Sequence, residues 1–600
     1  PGRLLPFRGL RFHVGSFPFD FGFRHLLALE LFVFAMVGLF LFLRYSKAGT
    51  AIRALAENSE RASLLGIGVG GMSLIVWTIA GALAGAGVIA NAAVTSPGSA
   101  TGIGINVLLG VMAAAVIARF SNLPLAASAA IVISVLDRAW ANSFQDRTTM
   151  FDFILFLIIG VALLLQRRQG RSEISGGVSW SAMDEPRPVP KVLRELSTVR
   201  FARWGLIGVG VLLLIAYPFL VSTRNVSLGS VIALNAVAVV SLVVLTGWAG
   251  QVSLAQFSFV AIGAVVGGAI VDKTPIPFWF AVPIAAFVAG VIAIIVGLPA
   301  LRIPGLFLLV ATFGFAVAVE ELLFDDRYFG WLLPKAVDRP TLFIIDFENE
   351  RAMYYLCVAT LLVAVVIVTN LRRSRIGRTL IGIRENEANA RSFGVSAVRT
   401  KLVAFGIAGA LCGMAGAVLA AQGRAVSGAT FSAQAGVDTF TAAVFGGVSS
   451  VGGALLGTGF FKVFQDLSKN TPLVAVFLQR GGTLFLVLAA PGGLISLANS
   501  VRDSALRVIA QRRQIVVPSL FADYDADADA RALIALGDSD PSSGLAALPS
   551  DVRYTLRSGL YRGRGERIVD TLKEKRGTLD TRAMAAAAKA AEDVETGAPA

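Results

Sequence analysis

The sequence predicts an all-α fold: a polytopic membrane protein built from two tandem helical domains that point the same way through the bilayer. Three observations carry this. The 600 residues are 55% hydrophobic and only 15% charged, with mean hydropathy +0.72, whereas soluble chains carry roughly a quarter charged residues. Apolar runs of about 16–22 residues recur between polar turns, the length a helix needs to cross a bilayer. Finally, one charged stretch occurs twice. RYSKAGTAIRALAENSERASLLGI (44–67) and RRSRIGRTLIGIRENEANARSFGV (372–395) align without a gap, pairing Arg44/Arg372, Ser46/Ser374, Gly49/Gly377, Glu57/Glu385, Asn58/Asn386, Ala62/Ala390 and Gly66/Gly394 at a constant offset of 328. In so apolar a chain, two polar loops of one pattern mark an internal repeat.

The predicted spans before a polar break are 26–43, 72–93, 103–118, 123–137 and 150–165. After it come 204–223, 228–247, 254–271, 276–300, 305–323, 353–371, 402–421, 437–449, 452–466 and 473–497. The break is rich in Arg, Ser, Pro and Gly and reads as a linker. The expected organisation is therefore a first membrane domain at 1–165, a linker at 166–203, a second membrane domain at 204–498 and a polar tail at 499–600. The tail holds no readable motif and is expected to be a largely disordered appendage.

Parity fixes the topology. Even numbers of spans separate the first charged loop from the linker, the linker from the second loop, and that loop from the tail. All of them share one side. Arg44, Lys47, Arg53 and Arg61, with Arg372, Arg373, Arg375, Arg378 and Arg384, make that side cytoplasmic. Two copies of one orientation disfavour an inverted-repeat transporter.

The offset extends beyond the loops. Ile79–Leu83 repeats as Ile407–Leu411, and Gly2, Leu4, Leu5 and Pro6 match Gly330, Leu332, Leu333 and Pro334. On this register Pro1 falls in the middle of the second domain, which predicts that the first copy lacks about 125 residues at its start.

The net charge of +14 does not point to nucleic acid, because the Lys and Arg cluster in short loops beside apolar runs. Cys357 and Cys412 both sit in apolar runs, so no disulfide framework is expected. His13 and His25 are the only histidines. No Cys/His cluster accompanies them, and no metal or other cofactor is expected. No G-x-x-x-x-G-K-[ST] motif occurs, so the chain has no phosphate-cradling loop.

Within the first loop a helix over 50–65 places Ile52, Leu55, Ala62 and Leu65 on one face and Arg53, Glu57 and Glu60 on the other. Leu380, Ile383, Ala390 and Phe393 repeat the apolar face. Such a helix can be a simple interfacial connector. Duplication of the Glu-Asn pair favours a docking element. Elsewhere, Gln251, Ser253 and Gln256 interrupt an apolar stretch (GWAGQVSLAQFSFVAIG, 247–263), and Thr312 raises the same question. They either bond helix to helix or line a pathway. Glu320 and Glu321 lie near a span end and read as a solvated terminus. Gly81-xxx-Gly85 and Gly409-xxx-Gly413 are seams for close helix packing.

The stretches at 377–420, 246–264, 298–315 and 441–457 resemble the LivM-type permease of bacterial branched-chain amino-acid ABC importers. The first copy (AGTAIRALAENSERASLLGI, 48–67) is similar to its LivH-type partner, so the two types look fused over roughly residues 1–500. The resemblance implies a multi-pass protein of the bacterial cell membrane, with linker and tail cytoplasmic. It implies two ABC ATPase subunits and an extracytoplasmic binding protein for leucine, isoleucine or valine as partners, with the lipid bilayer around the chain and no nucleic acid. Arg53, Glu57, Asn58 and Gly66, with Arg384, Glu385, Asn386 and Gly394, would belong to the loops that dock on the ATPases. Gln251, Ser253, Gln256 and Thr312 would be pathway candidates. Urea, short amides and simple sugars are alternative substrates of such permeases. A secondary transporter of parallel-repeat design is a more distant alternative, since intramembrane charges are scarce. One departure stands out: Ala118-Arg119 occupies the place of Gly446-Gly447.

Overall fold

The computed structural model describes residues 10–14, 17–21, 23–94, 105–120, 122–144, 148–165, 191–194, 196–300, 306–342, 345–467 and 492–513. A short antiparallel hairpin, β1 (Leu10–Val14) and β2 (Phe17–Phe21), precedes the helices. The first copy contains α1 (Phe23–Tyr45), α2 (Lys47–Glu57), α3 (Ser59–Leu64), α4 (Val69–Val94), α5 (Ile105–Ile117), α6 (Leu123–Ser143) and α7 (Thr148–Leu165). Then follow α8 (Lys191–Arg194), α9 (Ser197–Leu220), α10 (Thr223–Leu242) with a π-helical turn at Val243–Trp248, α11 (Gln256–Lys273), α12 (Phe278–Ala300), α13 (Leu306–Leu323) and α14 (Asp326–Phe329). A second small hairpin, β3 (Thr341–Leu342) and β4 (Ile345–Asp346), leads to α15 (Glu350–Arg373), α16 (Arg375–Glu385), α17 (Glu387–Ser392), α18 (Ala397–Gly423), α19 (Ala433–Gly446), α20 (Val451–Leu467) and α21 (Leu494–Arg513). Among the described residues the fold is thus all-α apart from two small hairpins. Nine of the described helices are long and apolar enough to cross a membrane. Every predicted span on described residues is a helix. The span 473–497 lies largely outside them, as do 166–190 of the linker and the tail from 514.

The chain divides into two compact units. One joins 1–183 with 223–480, and the other joins 184–222 with 481–600. In the first unit, α11, α12 and α18 pack through small residues. A Cβ on Gly413 would sit 2.5 Å from Ala289 Cβ, and one on Gly416 would sit 2.0 Å from the Val260 carbonyl oxygen. Lipid gives helices no hydrophobic reason to associate, so contact this close supplies the packing energy instead. In the first copy, Gly81 and Gly85 stand where Gly409 and Gly413 stand in the second, and no described atom lies within 4 Å of a Cβ there. The same α4 exposes Leu74 and Trp77, which costs nothing against acyl chains.

Two apolar cores run through this unit. One lies under α10, its π turn and α18, around Val240, Leu245, Trp248, Phe405 and Leu411. The other joins the first copy to the second: Leu109, Ala113, Phe151, Leu155 and Ile159 meet Leu254, Val310, Phe313 and Val317. In this second core, α5 and α7 of one copy are closed by α13 of the other.

Arg119 resolves one expectation in structural terms. Its φ of 52° places it in the left-handed region, where Gly447 also lies at 105°. The positive φ is kept with an arginine, but the turn differs: Arg119 N–H donates to the Val116 carbonyl and Phe120 N–H to the Ala115 carbonyl, whereas Gly447 N–H donates to the Ala443 carbonyl. The tight hairpin is not kept, because Gly446 and Gly453 meet backbone to backbone; a Cβ on Gly446 would lie only 1.9 Å from the Gly453 carbonyl oxygen. Ala118 and Leu125 occupy those places in the first copy, and their side chains forbid that approach.

Candidate functional site: two coupling elements and a broken helix

Each repeated loop folds as two short helices, and the equivalent residues do the same structural work. Ser46 and Ser374 cap α2 and α16, accepting hydrogen bonds from the amides of Gly49 (2.8 Å) and Gly377 (3.2 Å). Those glycines are needed because the chain doubles back tightly. A Cβ would come within 2.4 Å of the Phe42 carbonyl oxygen and 2.2 Å of the Leu371 carbonyl oxygen, respectively. Asn58 and Asn386 then end the first helix and start the next, with side-chain oxygens accepting from the amides of Arg61 (2.9 Å) and Asn389 (2.8 Å). Gly66 (φ +84°) and Gly394 (φ +79°) close the motif in the left-handed conformation. Around them, Ile67 N–H donates to the Ala62 carbonyl and Val395 N–H to the Ala390 carbonyl, the six-to-one bond of a Schellman ending.

The continuous helix expected over 50–65 is therefore corrected to two helices hinged at Asn58. The apolar face also changes. Leu380 and Ile383 are buried as expected, but Leu65 and Phe393 are each 81% exposed. The hinge turns them outward, beside Leu64 at 82%. Glu57 and Glu385 are exposed and bond to no described residue. Arg53 is exposed and reaches only Thr50, at 3.5 Å. Glu387, at the start of α17, is held by Lys401 Nζ at 2.8 Å and by Arg391. Burial pushes its carboxyl up, but the two cations overcome this and hold it below the usual carboxylate range.

Arg384 reaches away from its own loop. Its guanidinium donates to the carbonyl of Gly247, at the end of the π turn where α10 breaks. Arg372 lies over the Trp248 ring, 5.8 Å from its centroid. Between Ala249 and Ala255 the chain is irregular and self-bonded. Thr246 Oγ1 donates to the Gln251 carbonyl at 3.0 Å, and Gln251 Nε2 to the Ala249 carbonyl at 3.1 Å.

The four pathway candidates gather around this break. Ser253 is fully buried and accepts from Ala255 N–H at 3.3 Å. Thr312 Oγ1 accepts from Leu254 N–H at 3.2 Å, so α13 supports the break directly. Gln256 meets Cys412 of α18 at 3.5 Å, and Cys412 in turn meets Ser241 of α10 at 3.2 Å. The Gln256 amide nitrogen and the Trp248 indole N–H have no hydrogen-bond partner among the described residues. Gln251 is only half-buried. Gln256 and Thr312 thus reach other elements, and Ser253 and Gln251 bond within the break itself.

Two contacts were missed in the sequence. Glu320 is not a solvated terminus. Its carboxylate accepts from Ala433 N–H at 2.7 Å and caps α19. Arg339 is buried, paired with Glu350 and donating to the carbonyls of Glu348 (2.8 Å) and Gln422 (3.2 Å). The Glu320–Ala433 and Arg339–Gln422 bonds span 113 and 83 residues of chain, and no local pattern announces them.

A helical membrane body with two equivalent capped and hinged loops and a broken helix at its core is the frame of a transport permease rather than an enzyme. The comparisons make this specific. The chain belongs to the family described as branched-chain amino acid transport system / permease component, whose model matches residues 5–163 and 226–488. It is 27% identical over 308 residues to the high-affinity branched-chain amino acid transport system permease protein LivM of Salmonella typhimurium, covering 47% of this chain and 72% of that protein. It is 28% identical over 171 residues to the probable LivH permease of Methanocaldococcus jannaschii, covering 27% of this chain and 52% of that protein. Over 146 residues it is 35% identical to the autoinducer 2 import system permease LsrC of Klebsiella pneumoniae, covering 24% of this chain and 40% of that protein. No solved structure matches.

Proposed function

We propose that the chain is the fused permease component of an importer that carries leucine, isoleucine and valine across the bacterial inner membrane. Two separate ATPase subunits grip α2–α3 and α16–α17 from the cytoplasm, where the linker and tail also lie. An extracytoplasmic binding protein delivers substrate to the opposite face. On this reading the first domain occupies 1–165 and the second 204–498, joined by the linker at 166–203 and followed by the tail at 499–600.

The carrying observation is that both loops repeat one geometry, capped, hinged and closed at equivalent residues. Each presents an exposed apolar knob, Leu65 or Phe393, beside a free carboxylate, Glu57 or Glu385. Solvent is a poor neighbour for such knobs, and a groove on a partner surface is a good one. Movement of those partners passes into the bundles, and the pathway opens inward near the break at 249–255. Weak polar contacts suffice along it, because the binding protein can supply the specificity.

Uptake of labelled leucine, isoleucine and valine into proteoliposomes holding the chain with its ATPase and binding-protein partners tests this reading. The similarity to LsrC supports a second reading, a sugar-like substrate, so autoinducer 2 and urea belong in the same panel. Uptake of either with none of the three amino acids would replace the first reading.

A further inference from the structure

Three elements that the sequence keeps far apart are linked through Arg384 and Gly247. Its guanidinium donates to the Gly247 carbonyl across 137 residues of chain, half-buried on the inner side of α16. Its aliphatic stem lies across Gly250, where a Cβ would stand 3.0 Å from Arg384 Cγ; the backbone there is left-handed, with φ +67°. On its other side Gly247 presses on the tip of the α19–α20 hairpin, and a Cβ there would be 2.4 Å from the Val448 carbonyl oxygen. The accepting carbonyl ends a long helix, so a fixed cation suits the partial negative charge it faces. A planar guanidinium also holds its direction in a way a flexible ammonium does not.

The first copy lacks this arm. Ala56 stands where Arg384 stands, and its methyl group can donate nothing. The two loops match in caps, hinge and ending, and among the described residues the second is bonded to the break through Arg384.

Resting on the reading of the chain as the permease of an ATP-driven importer, we infer that Arg384 is the positioning residue through which the second coupling element moves the broken helix and the hairpin tip. The second motor input thereby reaches the break directly.

The test uses the full chain assembled with its ATPase and binding-protein partners. Arg384→Met keeps the stem over Gly250 and removes the donor. Uptake per ATP hydrolysed should fall by about tenfold or more, the scale of a lost charged hydrogen bond. Co-purification of the ATPases is measured alongside, so that lost coupling and lost docking are told apart. Arg384→Lys, which keeps a cationic donor but not its fixed direction, should restore part of the coupling. Arg384→Gln is the second variant should Arg384→Met not purify as a folded complex, and the same loss is expected of it.

Spin labels at Arg378→Cys and Ser450→Cys give a readout that needs no substrate. Their separation should hold when a non-hydrolysable nucleotide closes the ATPases, and should change on closure in the Arg384→Met background. Undiminished coupling, loss of the ATPases on purification, or the same label separation in both backgrounds would each overturn the inference. Failure of the unmodified complex to take up any branched-chain amino acid would instead overturn the substrate reading, with the label measurement still deciding the role of Arg384.

Discussion

Asn58 and Asn386 adopt the same backbone conformation, φ −157° and ψ 104° in one and φ −152° and ψ 97° in the other. Each accepts from the amide three residues ahead. Both end one helix and begin the next, so the side chain is the pin of a hinge. Replacing either by alanine should cost about 1 kcal/mol, the usual worth of an N-cap. Aspartate should restore most of it. Hydrogen exchange at the Arg61 and Asn389 amides reports the change directly, and unaltered protection in both alanine variants would remove the hinge role.

Glu57 and Glu385 pose the opposite case, since nothing described in the chain uses their carboxylates. Their joint replacement by alanine should leave the melting temperature in detergent within a degree or two, as surface changes usually do. Stimulation of the partner ATPases and uptake should both drop. Unaffected uptake in the double variant would sink the docking role of these loops.

Glycines separate packing from propensity. Gly413→Ala must push α12 or α18 aside, since its Cβ would lie 2.5 Å from Ala289 Cβ and 2.7 Å from the Ala285 carbonyl. A cost of about 1–3 kcal/mol is expected. Gly382, inside α16, meets no described atom within 4 Å, and the first copy already carries Ala54 at its place. Gly382→Ala should therefore stabilise the coupling helix by about 0.5–1 kcal/mol. Thermal unfolding of the two variants should shift in opposite directions.

Arg119 offers a test of strain. A non-glycine residue held at φ 52° costs about 1–2 kcal/mol of local conformational energy, and Gly447 shows what the second copy uses instead. Arg119→Gly should raise the melting temperature or leave it unchanged. A clear fall would mean that the guanidinium makes a contact worth more than the strain.

Such contrasts show which parts of the molecule were legible in the sequence. Spans could be read because a bilayer demands apolar helices of a set length, and a helix bonds its own backbone. The loop repeat could be read because Ser46, Gly49, Asn58 and Gly66 each answer a local backbone need: a cap, a close approach, a hinge, a left-handed ending. The hinge itself was hidden, because apolar periodicity runs straight across Asn58. Also hidden were Arg384 on Gly247 and Glu320 on Ala433, whose acceptor and donor are backbone groups 137 and 113 residues away. Every residue has such groups, so no residue type betrays the partner. For Gln256 and Thr312 the sequence left two roles open. Gln256 meets Cys412 of α18 and Thr312 accepts from the Leu254 amide of the break, contacts compatible with either role.

The pH response of α16–α17 follows from Glu387. Lys401 and Arg391 outweigh burial and hold its carboxyl below the ordinary value of 4.5. A folded-state pKa below the unfolded one means that the folded state favours the ionised form. The resulting stability is present in full above the unfolded value and is lost as pH falls through the lower folded value. The tie from α17 to α18 should thus hold unchanged from neutral pH to about pH 5 and weaken only below about pH 4. The group is partly exposed, so its contribution is about 1 kcal/mol or less. Glu387→Gln should accordingly melt slightly below the parent protein at pH 7, with the difference shrinking as the solution is made more acid. Ser59 stands at this place in the first copy, so protection of the α3 amides should show no such step. Equal acid sensitivity of α3 and α17 in hydrogen exchange would show that the Glu387–Lys401 pair is not its source.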